Sequence, residues 1–333
     1  MRLIAHFLNV GHGDCTIIEL PSGRLMMIDI NNSKSLPDED VAALAAASGV
    51  SPYEFKRRGS FAYGRSWEDY YKSLLVDPYD YYRANFAGRP IFRYVQTHPD
   101  MDHMSGLHRF FFQERVPLLN FWDAAHHKEM TKDDFASSPY DDRDWLAYKA
   151  LRFVGGPTYA YGEYTEHKVV KNYRGDTGRY WSDDGIDVFS PTLQLIADCD
   201  ERDCYNDCSY VFKISYGGRS LILPGDAESP AWESMLRDLD TQDFVCDILK
   251  ASHHGRESGF HEEAVAAMDP SIVICSVGKK PETDASDEYA KMGATVLSTR
   301  FNGTIKVTMW ADGEVWVENH KGEDIAKLSQ LAA

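Results

Sequence analysis

The sequence has no run of about 18 apolar residues, so no transmembrane helix and no membrane partner are expected. Positive charge is scarce. With 35 Lys and Arg against 52 Asp and Glu, the net charge is -17, which argues against loose binding to bulk nucleic acid or anionic lipid. A phosphate-bearing substrate stays open, because a bound cation overrides the distant field locally. Cysteine is thin as well. The six residues at 15, 199, 204, 208, 246 and 275 form no dense disulfide framework, and a reducing, cytoplasmic setting follows. Cys199, Cys204 and Cys208 do cluster; they read as small residues of an irregular loop, with an extra metal or redox site as the sharper reading. The opening "MRLIAHFLNVGHGDC" has one Arg and no apolar core of the kind a signal peptide needs, and reads as a first strand. No internal repeat or low-complexity tract is visible. The 333 residues suffice for one large domain with a sizeable core.

What is present is a succession of short strands and helices. "LIAHFLNV", "CTIIEL" and "LMMIDI" are β-prone runs joined by the turns "GHGD" and "PSG", and they predict an antiparallel meander. "DEDVAALAAA" and "SWEDYYKSLLV" predict helices; "IFRYVQT" and "PLLNFWDA" predict strands, with "MSGLHRFFFQ" as a helix between them. A segment from about 125 to 184, rich in Tyr, Asp and Gly, holds one helix, "DRDWLAYKALRFV", and reads as an insertion or lid. After it "GIDVFSP", "SYVFKISY" and "RSLILPGD" are strands, and "SPAWESMLRDL" is a helix with Ser229 as its N-cap and Pro230 at its first position. Helix and strand then alternate to the end. Two groups of strands with helices between and after them predict a layered α/β domain, sheets inside and helices outside.

One stretch carries the chemistry. "VQTHPDMDHMSGL", Val95 to Leu107, packs His98, Asp100, Asp102 and His103 onto a loop at the end of a strand, stiffened by Pro99. Such a His and Asp set suits a divalent cation with imidazole and carboxylate ligands: Zn first, Mn or Fe next. Positions 98 and 100 can face one point while 102 and 103 face another, which favours two metals over one. Two further strands end in polar residues, Asp226 in "LILPGDAE" and His253-His254 in "LKASHHGRES". Strand-end residues from three strands would converge on one sheet edge. His126 and His127 are expected on the surface beyond a strand end. His12 in "GHGD" is a candidate for the site rim and substrate contact. Arg57 and Arg58, with Lys56 and Arg65 among aromatics, read either as a solvated helix end or as a patch contacting phosphate and base.

The order of Asp29 in "IDI", then HxDxDH, GD and HHG, resembles the metallo-β-lactamase fold superfamily. Within it the chain looks most like the hydrolase domain of ComEC-type competence proteins and their stand-alone relatives, which show an opening like "FLNVGHGDC", a "THPDxDHxxG" motif, an Asn-x-x-Ser before a strand (here Asn206 to Ser209), "LLxGD" (here "LILPGD") and "HHG". The likeness covers most of the chain except about 33–90 and 125–184. It implies a single four-layer αββα sandwich over 1–333, with those two segments as insertions. It also implies roles. His98 and Asp100 would hold a first metal, Asp102, His103 and His254 a second, and Asp226 would bridge. His253 would meet the leaving group, with Asp29 and Asn206 behind the ligands. Asp100 departs from a more usual histidine, and Asn206 stands near the place of a missing one; both changes make the first site richer in oxygen.

The expected activity is metal-dependent hydrolysis. A divalent cation lowers the pKa of bound water from ~15.7 toward ~7, and two of them can steady the phosphoryl oxygens of an in-line displacement. Asp102 and His253 are the candidate catalytic groups, as water-orienting carboxylate and general acid. The expected substrate is a phosphodiester or nucleotide, short single-stranded nucleic acid included. The rival readings are a lactam, lactone or thioester hydrolase of the same fold, and a non-catalytic interaction module.

Overall fold

A computed structural model of the chain describes every residue except 34, 35, 37, 153–166, 277–282, 332 and 333. Strands β1 (Arg2–Phe7), β2 (Thr16–Glu19) and β3 (Leu25–Ile28) form the expected meander. They are apolar on both faces. In β3, Met26 and Ile28 enter one core while Leu25 and Met27 enter another, as a side-chain period of two requires. Strands so patterned must be covered on both sides. β4 (Ile91–Gln96), β5 (Asn120–Asp123) and β6 (Lys168–Val170) continue this sheet in parallel. The second sheet holds β7 (Ile186–Ser190), β8 (Val211–Tyr216), β9 (Arg219–Leu223), β10 (Ile248–Lys250), β11 (Ile272–Cys275) and β12 (Thr295–Ser298). β13 (Ile305–Trp310), β14 (Val315–Glu318) and β15 (Asp324–Leu328) then return to the first sheet beside β1. The strand orders are β15-β14-β13-β1-β2-β3-β4-β5-β6 and β12-β11-β10-β9-β8-β7.

Three cores hold the layers together. Leu3, Ala5 and Phe7 of β1 meet Leu221, Leu223, Ile272 and Ile274 between the sheets. Behind the first sheet lie Tyr82 and Phe86 of helix Pro78–Phe86, with Trp145, Tyr148 and Leu151 of helix Asp142–Arg152. Behind the second lie Trp232 and Met235 of helix Ser229–Asp238, with Val265 and Met268 of helix Glu262–Met268. Each large apolar side chain buried in this way stabilises the fold by roughly 1.5–3 kcal/mol. The layering is αββα, the sandwich the resemblance implied. No helix among the described residues is long and apolar enough to cross a membrane.

Local expectations needed correction. The chain after the HPDMDH loop does not enter an α-helix: Met101–His103 is a 3-10 turn and His108–Gln113 a π-helix. Ser229 is not the N-cap of its helix; Glu228 is, so Ser229 takes the first helical position ahead of Pro230. The 125–184 segment supplies β6 to the first sheet, so part of it belongs to the sandwich itself; its residues 153–166 lie outside the described ones. The 33–90 segment builds a small core of its own from Val41, Leu44, Phe55, Tyr71 and Leu74.

What matters for the site is where strands end. β3, β4 and β5 run parallel, as do β9, β10 and β11. Ligands gather beyond the carboxyl ends of such strands, and here Asp29 follows β3, the HPDMDH loop follows β4, Asp226 follows β9 and His253-His254 follow β10.

Candidate metal centre

Asp29 organises the first half of the site. It is buried and has φ 54, a backbone state that costs a non-glycine residue on the order of 1–3 kcal/mol and is met mainly at functional positions. Its Oδ1 accepts from the Thr97 N–H at 2.8 Å. Its Oδ2 accepts from the Thr97 hydroxyl at 2.6 Å and lies 2.7 Å from His103 Nδ1. These contacts fix two tautomers. The Thr97 hydroxyl proton is committed to Asp29, so at 3.1 Å its oxygen accepts from His98 Nδ1–H. His103 Nδ1–H donates to Asp29. Both rings therefore turn an Nε2 lone pair inward, and both Nε2 atoms are buried with no hydrogen-bond partner. Gly13 lets the "GHGD" turn close on this loop: its φ is +124, and a Cβ there would sit 2.3 Å from the Asp102 carbonyl.

The second half comes from the other sheet. Asp226 Oδ2 lies 3.2 Å from His103 Nε2, 3.4 Å from His254 Nε2, 3.6 Å from His253 Nε2 and 3.9 Å from His98 Nε2. Its Oδ1 is buried and without a partner. His254 Nε2 is also 3.3 Å from Asp102 Oδ2. Burial opposes charge on these groups, yet Asp226 and Asp29 outweigh it to raise His103 well above the ordinary imidazole value. In the same way His103 and His254 hold the Asp226 carboxyl well below the usual range. Without a cation these carboxylates favour protons on the rings, and the same negative field would favour a divalent cation in their place.

The two adjacent histidines divide the work. His254 is fully buried, with Nδ1 3.1 Å from Ser276 Oγ and Nε2 between Asp102 and Asp226. His253 is nearer the surface, and its Nδ1 faces Glu228 Oε1 at 3.0 Å and Ser258 Oγ at 2.7 Å. Asn206 donates to the same Glu228 oxygen at 3.2 Å, so it stands behind His253 and not among the ligand atoms. Both histidines have positive φ, 48 and 63.

His98 and Asp100 form the looser side. Asp100 Oδ2 is 3.7 Å from His98 Nε2, and Asp100 Oδ1 is 2.5 Å from Lys128 Nζ. His12 Nε2 is 3.4 Å from Asp102 Oδ2 and 3.1 Å from an Arg256 nitrogen. Arg57 lies on the surface, 3.9 Å from Glu54, and among the described residues no contact joins Arg57 or Arg58 to the cluster. His126 is buried, contrary to expectation, because Tyr148 OH and the Lys128 N–H occupy its two nitrogens; His127 is exposed and pairs with Asp200. Sequence reasoning missed Asp14, Lys128, Glu228 and Arg256. "GHGD" carried a signal for Asp14; the others had none.

Among the described residues two sets of side chains present ligand atoms within 4.8 Å of one another: Asp14, His103, Asp226 and His254, and His12, Asp102 and His254. Asp14 is the odd member. It meets His254 at Nδ1, 3.5 Å away, and Lys250 already holds its carboxylate at 3.0 Å, so it orients the ring from behind. The orphaned inward Nε2 atoms of His98 and His103, with Asp226 Oδ2 facing both, fit a divalent cation held by nitrogen and oxygen.

No family model matches the chain, and no curated protein matches it. Among solved structures it is similar to Igni18, a metallo hydrolase from the hyperthermophilic archaeon Ignicoccus hospitalis, at 13% identity over 92% of this chain and 99% of that one, with a TM-score of 0.47. It is similar to YhfI, a metallo-β-lactamase fold protein of Bacillus subtilis, at 11% identity over 95% and 100% of the two chains, with a TM-score of 0.41. It is also similar to CmlA, a diiron β-hydroxylase of Streptomyces venezuelae, at 13% identity over 92% of this chain and 54% of that one, with a TM-score of 0.40. Likenesses this distant say nothing of activity, metal or substrate; the αββα layering stands on the chain's own sheet order.

Proposed function

We propose that the chain is a metal-dependent hydrolase that cleaves phosphodiesters, nucleotides or short single-stranded nucleic acid among them. One observation carries this reading: a single carboxylate oxygen, Asp226 Oδ2, lies within 4 Å of the Nε2 atoms of His98, His103, His253 and His254. Asp102, His103 and His254 would hold one divalent cation, His98 and Asp100 a second, with Asp226 shared. Zn is the first choice, then Mn or Fe. Bound there, the cations supply Lewis acidity and a water acidified toward neutral pH.

The protein's own groups do the rest. Asp102 Oδ2, facing His12 and His254, orients a water at the cluster. His253 donates its Nδ1–H to Glu228, whose position Asn206 fixes. Its Nε2 then faces the cluster, 3.6 Å from Asp226 Oδ2, where it would carry a proton to a leaving oxygen. Tyr140, pushed up to about 12 by burial and by Asp102, stays protonated. The carboxylate at Asp100 and the likeness to ComEC-type hydrolases favour phosphodiesters over lactams. The test is hydrolysis of bis-p-nitrophenyl phosphate and of short single-stranded DNA or RNA by the Mn- or Zn-loaded protein, with loss in His103→Ala. Turnover of nitrocefin or an acyl thioester, with none on phosphodiesters, would reverse the assignment.

A further inference from the structure

Arg256, the residue after the HHG turn, is paired unlike the other cations around the site. Lys128 is paired with Asp100, Lys250 with Asp14 and Arg109 with Asp77. Among the described residues no carboxylate pairs with Arg256. Its Nη1 lies 3.4 Å from His253 Nε2 and its Nη2 3.1 Å from His12 Nε2, and its Nε is buried with no partner. A guanidinium is always charged and has five N–H donors. Two imidazole lone pairs leave most of them unused and the charge unanswered, in a chain with a net charge of -17.

Its position is defined by the same two rings. His253 Nε2 is 3.6 Å from Asp226 Oδ2, and His12 Nε2 is 3.4 Å from Asp102 Oδ2. The guanidinium therefore flanks the cluster beside His253 Nε2 and His12 Nε2. The Arg256 backbone bonds to His253 and bridges Asp284, but the side chain packs no structural carboxylate.

We infer that Arg256 receives a non-bridging oxygen of a phosphoryl group presented to the Asp226 cluster, and so selects anionic phosphoryl substrates over neutral lactams, lactones and thioesters. The planar fork suits two phosphate oxygens at once, and a neutral acyl group offers it no charge. The inference rests on the phosphodiesterase reading, yet the two fail separately.

Inorganic phosphate is the probe, titrated calorimetrically into the full chain loaded with Zn or Mn, after metal content has been matched between variants. Arg256→Gln is expected to bind phosphate at least tenfold more weakly than wild type, and Arg256→Lys to lose less. The KM for bis-p-nitrophenyl phosphate should rise in parallel while kcat changes less. Phosphate affinity within twofold of wild type in Arg256→Gln overturns the inference. Weakened phosphate binding without any phosphodiester turnover sustains Arg256 and removes the proposed activity instead. If Arg256→Gln does not fold, Arg256→Lys carries the test, with a threefold loss expected and none overturning it.

Discussion

Lys128 Nζ lies 2.5 Å from Asp100 Oδ1, which ties the 125–184 segment to the HPDMDH loop. The lysine is anchored from below. Its N–H donates to His126 Nδ1 at 3.0 Å, and His126 Nε2 lies 2.5 Å from Tyr148 OH. Tyr148 in turn donates to Asp123, a buried carboxylate that Arg152 also binds at 2.8 Å. Burial, with Arg152, drives His126 down to about 2, so this chain of contacts stays neutral at the ring and rigid. An ammonium is thus fixed beside the carboxylate that stands where a histidine is more usual.

That ammonium would compete with a cation for Asp100. Lys128→Met should therefore strengthen binding of the more weakly held metal equivalent by roughly tenfold or more, since one nearby charge is removed from a partly buried site. Competition against a chromophoric chelator measures it. Unchanged or weaker uptake would show that Lys128 supports the site and does not compete with it.

The two histidines of the HHG turn should separate cleanly. His254→Ala removes a buried inward nitrogen between Asp102 and Asp226 and should lower bound metal per chain. His253→Ala should keep the metal and lose hydrolysis, because its ring is tied to Glu228 and Ser258. Elemental analysis beside activity distinguishes the cases, and metal loss from both variants to the same degree would contradict the division.

Asp29→Asn isolates electrostatics from backbone strain, because Asn tolerates positive φ about as well as Asp. The variant replaces an anion that accepts from Thr97 and holds His103. Loss of such a partner typically costs 10–100-fold in metal affinity. Chelator competition with circular dichroism as a fold control checks it; wild-type affinity in the folded variant would mean His103 is oriented by packing alone.

How much of this was legible follows from what each residue depends on. His98, Asp100, Asp102, His103, Asp226 and His254 could be singled out in the sequence because each lies on a loop that follows an apolar strand, a contrast local in sequence. His254 separated from its neighbour His253 only in three dimensions, through the burial of one ring and the Glu228 contact of the other. Lys128 and Arg256 were not legible, since a cation among polar residues gives no periodic signal and its partner lies on another element. "HRFFFQ" has helical spacing, yet the chain forms a π-turn, with Glu114 N–H bonding to the Arg109 carbonyl at 2.9 Å. β14 and β15 went unread because their strands are short and partly exposed.

Asp144 gives a pH test away from the candidate metal centre. It is buried on helix Asp142–Arg152, beside a polar cleft lined by Asn32, Ser105 and Arg109, and its Oδ1 accepts from the His108 N–H at 2.9 Å. Burial raises its carboxyl from 3.8 to about 6, against the backbone bonds of His108 and Gly106. The sign follows from proton counting. Between about pH 4 and 6 the native state holds this proton and the unfolded state has lost it, so stability falls as pH rises through that window and the penalty is complete above it. Asp144→Asn keeps the Oδ1 acceptor and has no proton to lose, and its amide can face the cleft. The variant should match wild type below pH 4 and exceed it by up to roughly 3 kcal/mol near pH 7. Urea unfolding of both proteins at four pH values, with metal matched, measures the gap; a difference that does not grow between pH 4 and 6 would show that Asp144 ionises without penalty.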